Sequence, residues 1–265
     1  RTSGRIENDS PFECQGPGAF RRSSPVNIYD KELSLKQDRV AATPDMRAQR
    51  AAVLEKLALS PGEHVLEIGS GNGRFVEEMS AVVGESGHVV GIDAAPAMVP
   101  LAQAAFPNRE FHLGDVTGLP FDDASFDAIT SAQVLSYVED IETGLAEMLR
   151  VLKPGGRLVV LDTDWHSIIW HHPDPALMKR AIDLALSVYV DAYLSDTLAE
   201  KLNQAGFETI ETDLHAITNT SLEPDTYSSM FTDFIEPAMR KSSKFSDADA
   251  DRWTGGLRDL SANGD

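Results

Sequence analysis

Cysteine is nearly absent, with Cys14 alone in 265 residues. One thiol excludes an intramolecular disulfide, a Cys-rich zinc site and a Cys-pair redox centre. An unpaired thiol suits a reducing compartment, so a cytoplasmic location is expected. Basic residues are scarce too: 23 Lys and Arg stand against 42 Asp and Glu, a formal net charge of −19. That balance argues against a nucleic-acid partner, which needs a basic face. It argues equally against docking on an anionic membrane. No apolar run approaches the roughly 20 residues that span a bilayer. The polar start, RTSGRIENDS, has neither an initiator Met nor the apolar stretch of a secretory signal, so a processed start without such a signal is expected. The ligand left by these exclusions is small, and neutral or cationic. A chain of this length buries a sizeable core without disulfide or metal staples.

What is present is a rhythm. Residues 1–27, with Gly16-Pro17-Gly18 and Ser23-Ser24-Pro25, read as a flexible tail. Apolar spacing predicts a helix over 44–59, ended by Pro61-Gly62. Short β-type runs follow at 64–68, 88–92, 110–113, 126–130 and 157–162, with helices expected at 73–83, 96–105 and 141–151. Lys153-Pro154-Gly155-Gly156 reads as a turn. Strands alternating with helices make βαβ units, and right-handed crossovers leave a doubly wound, mostly parallel sheet as the expected α/β fold. Beyond 165 the pattern becomes helical, with helices expected at 176–190 and 195–205, a sixth strand at 207–214 and a helical cap near the end. The division expected is a tail over 1–27, a main domain over 28–220 and a helical segment over 221–265.

The most informative stretch is Glu67-Ile68-Gly69-Ser70-Gly71-Asn72-Gly73, directly after the first strand. Strand, Gly-rich turn and helix bring backbone close to a nucleotide-like ligand. Its glycines at 69, 71 and 73 miss the dinucleotide fingerprint by one place, since position 74 is Arg. Alone, such a turn is weak evidence. Asp93, about 20 residues on at the end of the second strand, can accept from two ribose hydroxyls. Asp115, at the end of the third, can accept from an exocyclic adenine amine. Each alone is an ordinary cap or turn residue. Together they put one chemistry on three successive strand ends, where parallel sheets bind ligands.

With these residues in place, the chain resembles class I S-adenosylmethionine-dependent methyltransferases. VLEIGSGNG is similar to their first motif, GHVVGIDAAPAMV to the ribose-acid motif, GDVTGLPFDDASFDAI to the adenine-side motif and LRVLKPGGRLVVLD to the helix–turn–strand that follows. The nearest likeness is to small-molecule enzymes of the ubiquinone/menaquinone-biosynthesis type. The resemblance implies a Rossmann-like fold and S-adenosylmethionine as cofactor. It implies that Gly69, Ser70, Gly71 and Gly73 line the methionine part, with Glu67 near its amino group. Asp93 would take the ribose, with Ala94 and Met98 beside the adenine and Asp115 and Val116 at the adenine edge. Gln133 would lie near the methionine carboxylate and the sulfonium, while Gln49, Arg50 and Tyr29 are looser candidates for covering the cofactor. Family members usually end in an antiparallel hairpin of sixth and seventh strands. No seventh is legible here, so either the chain is truncated after Asp265 or the sheet edge is completed otherwise. An unpaired edge favours association, hence a possible homodimer.

The acceptor is less legible. Methyl transfer from a sulfonium is an in-line displacement, to which a protein contributes chiefly alignment and exclusion of water. A base is needed for an alcohol, phenol or carbon acid. The nucleobase N-methylation signature is absent, with Ser131-Ala132-Gln133-Val134-Leu135 in its place, and Cys14 alone cannot support arsenic methylation. The candidate catalytic residues follow the fifth strand: Asp162, Asp164, His166 and His171, beside Trp165 and His172. A His is the natural base near neutrality and an Asp beside it can orient the ring. No metal is expected, because the adjacent His171 and His172 point apart in most backbones. His64, His88 and His112 read as structural. The preferred reading is O-methylation of a hydroxylated metabolite. N- or C-methylation, a nicotinamide-dependent oxidoreductase and a non-catalytic cofactor-binding interaction module are the alternatives.

Overall fold

The computed structural model describes residues 38–263, so the expectations for the tail, Cys14 and Tyr29 lie outside the described residues. Helix α1 (Pro44–Leu57) has proline at its first position, and the Thr43 hydroxyl accepts from the Met46 amide at 3.3 Å. That cap supplies one of the acceptors a helix start lacks. Then come β1 (His64–Ile68), α2 (Arg74–Val83), β2 (His88–Asp93), α3 (Met98–Ala105), β3 (Glu110–Leu113), β4 (Phe126–Ala132), α4 (Ile141–Val151) and β5 (Leu152–Leu161). The strands form one parallel sheet in the order β3-β2-β1-β4-β5. The order reverses between β1 and β4, the place where open α/β sheets carry their ligand crevice.

The period-2 alternation of the strands divides the core into two layers. Leu66, Ile68, Val90, Ile92 and Ile129 meet Leu145, Met148 and Val151 of α4 on one face. Val65, Val89, Phe111 and Ala128 meet α1, α2 and α3 through Val53, Leu57, Phe75, Met79 and Ala102 on the other. Both faces are covered, as a parallel sheet requires. The Lys153–Gly156 turn is absorbed into β5 as a register shift against β4, with Gly155 at φ 78°.

The helices after β5 are α5 (Pro175–Leu186), α6 (Leu198–Ala205), α7 (Tyr227–Lys241) and α8 (Asp247–Asn263). Leu177, Met178, Ile235, Met239, Trp253 and Leu257 give the cap its own core. That core draws α5 in with α7 and α8, so the cap begins earlier in the chain than residue 221. The sixth strand expected over 207–214 is a correction: the segment is irregular, and Leu214 is 80% exposed. A strand needs a partner for its backbone groups. Among the described residues no seventh strand is present to supply the hairpin, and β5 pairs with β4 alone.

Candidate functional site

Three strand ends meet the Gly-rich turn. The amides of Gly69 and Ser70 both donate to the Ile92 carbonyl, at 2.8 and 3.0 Å, tying the turn to β2. Asp93, which ends β2, accepts from the Gly71 amide at 2.7 Å through Oδ2 and from the Ala95 amide at 2.8 Å through Oδ1. Burial raises the Asp93 pKa, and those two amides pull it down. Gly69 (φ 73°) is forced by packing as well as by backbone: a Cβ there would stand 2.2 Å from Val134 Cγ2. Gly71 (φ 53°) differs, because a Cβ there would meet nothing within 4 Å. The turn is thus held from below by β2 and open above Gly71.

Two buried polar atoms beside this turn lack partners among the described residues, Glu67 Oε2 and Ser70 Oγ. Burial and the neighbouring Asp93 hold the Glu67 carboxyl well above its ordinary pKa, against the opposing pull of Arg50. Buried polar groups are normally satisfied. A buried carboxylate with one orphan oxygen therefore suits a ligand that brings a cation, such as an amino acid's ammonium. Arg50 itself is committed: it forks onto Glu78 with contacts of 2.9–3.1 Å and donates to the Ala41 carbonyl at 2.7 Å. Gln49 is buried on α1.

The remaining expected positions lie at or just beyond the ends of β2, β3 and β4. Met98 is buried at the start of α3, with Ala94 half-buried before it. Asp115 follows β3 and accepts from the Thr117 amide and hydroxyl through Oδ1 at 2.9 and 2.8 Å, while Val116 is buried in the core. Gln133 caps β4 with φ 61°, an unusual angle for a non-glycine residue. Its amide donates to the Leu161 carbonyl at 2.7 Å and its Oε1 accepts from the Thr163 hydroxyl at 2.8 Å. Those bonds over-determine a strained residue at the mouth of β4 and β5.

The catalytic candidates separate in space. Asp162 accepts from the amide and hydroxyl of the buried Ser136, each at 3.1 Å, and burial raises its pKa. Asp164 caps the turn Trp165–Ser167, and its pKa is lowered first by the Ser167 hydroxyl. The carboxylate in reach of His166 is Asp196, whose Oδ2 lies 2.9 Å from Nδ1. The His166 ring also stacks on Tyr193 at 4.0 Å between centroids. Asp164, His166 and Asp196 each offer one ligand atom within 4.8 Å of the others. His171 is exposed, while His172 is buried between Asp174 and the Trp253 carbonyl and serves the cap.

Some participants are not legible from sequence. Asp38 accepts from Asn72 at 2.9 Å and from the Arg74 guanidinium at 2.9 and 3.0 Å, bracing the Gly-rich turn from outside. Asp45 accepts from the Tyr227 amide and from Asn219, joining α1 to the start of α7. Trp165, Tyr189, Phe231 and Tyr227 form a run of ring contacts from the end of β5 into the cap. The aromatic spacing on α7 is a usable signal for these contacts. Asp38 and Asp196 carried none, since an isolated acid in an acidic chain has no distinguishing context.

Residues 66–160 match the family described as a methyltransferase domain. The chain is 43% identical over 137 residues to a demethylmenaquinone methyltransferase of Beutenbergia cavernae, covering 51% of this chain and 52% of the relative. It is 33% identical over 165 residues to a 2-phytyl-1,4-naphtoquinone methyltransferase of Synechococcus elongatus, covering 60% and 66%. The chain spans between 39% and 66% of the length of these curated relatives. Among solved structures, phosphoethanolamine N-methyltransferase 2 of Haemonchus contortus, in complex with S-adenosyl-L-methionine, superposes with a TM-score of 0.59 at 18% identity. That match covers 86% of this chain and 53% of the other, and it speaks for the fold alone.

Proposed function

We propose, from the premise that residues 66–160 are a methyltransferase domain of the class I S-adenosylmethionine-dependent family, that this chain O-methylates a hydroxylated small molecule. The observation that carries the cofactor assignment is the Gly-rich turn bonded to the Asp93 carboxylate, open above Gly71 and flanked by the orphan atoms of Glu67 and Ser70. When bound, S-adenosylmethionine supplies an electrophilic methyl on a sulfonium whose departure leaves S-adenosylhomocysteine. Asp93 would hold the ribose hydroxyls and Glu67 the ammonium of the methionine part. Ser70 and the amides of the turn would hold its polar groups, with Ala94, Met98, Asp115 and Val116 along the adenine. Gln133 stands at the mouth shared by β4 and β5, where the acceptor must enter.

His166 would take the acceptor's hydroxyl proton on Nε2 as the oxygen–methyl bond forms. Asp196 accepts at Nδ1 and so fixes the ring and stabilises the charge it gains. Asp164 shapes the turn that carries His166, and Asp162, just before it, is tied to Ser136 in the turn Leu135–Tyr137 that follows β4. His171 is the second candidate base, on the segment leading to α5. The curated relatives named for naphthoquinone substrates support a small cyclic acceptor. No helix among the described residues is long and apolar enough to cross a membrane, and with the acidic charge this supports a cytoplasmic enzyme without a nucleic-acid partner. The side of β5 left unpaired among the described residues supports association into a homodimer.

The test is transfer of labelled methyl to 2-naphthol, 2-naphthylamine and 2-methoxynaphthalene in parallel. Label on the naphthol oxygen, with S-adenosylhomocysteine released in equal amount, is expected. Label on nitrogen or on ring carbon refutes the oxygen assignment. Cofactor binding with no transfer to any acceptor replaces the enzyme with an interaction module.

A further inference from the structure

Three metal-ligating side chains from two turns distant in sequence converge just beyond β5. Asp164 and His166 belong to the turn Trp165–Ser167 and its cap, and Asp196 ends the turn Leu194–Asp196. Each offers one ligand atom, and these atoms all lie within 4.8 Å of one another. The adjacent pair His171 and His172 takes no part.

The charge of the cluster is out of balance. Two carboxylates face one imidazole, and among the described residues neither Asp164 nor Asp196 is paired with a Lys or Arg. Other acids of this chain do meet such a partner: Glu78 meets Arg50, Asp127 meets Lys153 and Glu63 meets Arg157. A divalent cation supplies the charge that is missing here. The ligand atoms are also held in place by their neighbours, as those of metal sites are. Asp164 Oδ1 accepts from the His166 amide at 3.0 Å, and Oδ2 accepts from the Ser167 hydroxyl at 2.5 Å. Tyr193 stacks on the imidazole at 4.0 Å and 15°, which fixes the plane of the ring. His166 and Asp196 are 58% and 44% exposed, so an ion and its waters can reach them.

The donor set selects the ion. Two carboxylate oxygens with an imidazole nitrogen suit a first-row transition ion, whereas Mg²⁺ and Ca²⁺ prefer oxygen alone. Zinc holds such atoms at roughly 2.0–2.2 Å, which sets them roughly 3.3 Å apart around a tetrahedron. Nδ1 of His166 and Oδ2 of Asp196, at 2.9 Å, need open only slightly to admit it.

We propose that Asp164, His166 and Asp196 bind one divalent ion of the zinc class, with water completing the coordination, and that this ion shuts off proton transfer to His166. With Nδ1 on the metal, the ring's proton stays on Nε2, which then cannot accept one from a hydroxyl. The binding stands apart from the methyltransferase reading, and the inhibition rests on it.

The test titrates the whole chain with Zn²⁺ by calorimetry in a non-chelating buffer, with excess Mg²⁺ present to fill weak acidic sites. One Zn²⁺ per chain is expected. Asp164→Asn, His166→Ala and Asp196→Asn should each raise its Kd by more than about tenfold, and His171→Ala should not. Co²⁺ in place of Zn²⁺ should give a visible spectrum that these three variants lose. The ¹⁵N signal of His166 Nδ1, one of seven histidines, should shift on adding Zn²⁺ to wild type, a readout that needs no variant to fold. No stoichiometric binding, displacement by Mg²⁺, an unshifted His166 signal, or binding that survives all three substitutions overturns the site. Saturating Zn²⁺ should also stop methyl transfer to 2-naphthol. Transfer that continues with the site filled overturns the inhibition and His166 as base. Absence of transfer without any metal overturns the methyltransferase reading instead, since the binding is measured separately.

Discussion

Gly69→Ala offers a perturbation whose cost is worked from two separate parts of the geometry. The residue has φ 73°, and its new Cβ would stand 2.2 and 2.8 Å from the two methyls of Val134. The left-handed backbone costs a non-glycine residue roughly 1–2 kcal/mol. Overpacking adds roughly 1–3 kcal/mol. Val134→Ala removes both clashing methyls, at a cost of about 1 kcal/mol for lost burial at a half-buried site. The double variant then keeps the backbone cost but sheds most of the clash, so the two substitutions should be non-additive by about 1–3 kcal/mol in its favour. Gly71→Ala is the internal control: φ is 53° but nothing lies within 4 Å of the added Cβ. Its stability loss should be the backbone cost alone, near 1–2 kcal/mol. Its affinity for S-adenosylhomocysteine should nonetheless fall by more than about tenfold, because the Cβ projects into the open space assigned to the ligand. Urea unfolding of the four variants and wild type, with calorimetric titration of S-adenosylhomocysteine, reads both quantities. Additivity of Gly69→Ala and Val134→Ala within about 0.5 kcal/mol would show that the turn does not press on Val134. Full cofactor affinity in Gly71→Ala would show that the ligand does not use that space.

Other outcomes follow from neighbouring residues. Asp93→Ala should raise the Kd of S-adenosylhomocysteine roughly 10- to 150-fold, the scale for bonds to a charged group; titration giving an unchanged Kd would refute its ribose role. Glu67, whose carboxyl is held well above its ordinary 4.5, contributes stability that is complete below that value and is lost as pH rises through its raised folded pKa. Wild type should therefore lose urea resistance relative to Glu67→Gln as pH rises above 4.5, and parallel profiles would exclude a perturbed Glu67. Glu110 works in the opposite sense: burial raises its pKa, but its bonds to His112 and His88 outweigh that and lower it to about 2. Its stability is present above its ordinary 4.5 and lost as pH falls toward about 2, so Glu110→Gln should flatten acid unfolding in that window. His166→Ala should lower kcat about 100-fold and Asp196→Asn less, with the acidic limb of the pH–rate profile moved in the latter. An unaltered profile in both would pass the base to His171 or remove it.

How much was legible divides by the range of the interactions involved. Strand and helix periodicity is local, so the alternation over 64–161 was readable residue by residue, and its order followed from the handedness of βαβ crossovers. The Gly-rich turn with Asp93 was readable for the same reason, since strand ends in such a sheet converge on one edge. The sixth strand was misread because a strand's stability lies in its partner and not in its own residues: Phe207-Glu208-Thr209-Ile210 has the composition, and nothing among the described residues pairs with it. The neighbouring acids Asp162 and Asp164 are engaged by Ser136 and by the turn's own amides and hydroxyls, a contact pattern that the sequence does not reveal. Asp196 arrives from a turn 30 residues downstream, brought there by cap packing. Asp38, Phe231 and the orphan N–H of Trp165 are likewise products of long-range approach. The amino-acid sequence by itself determined the parallel sheet, the Gly-rich turn and the acid that closes on it, because each follows from short-range periodicity and backbone sterics. Tertiary structure alone decided which buried polar groups were left unpaired among the described residues, because satisfaction of a buried group depends on every element that could have reached it.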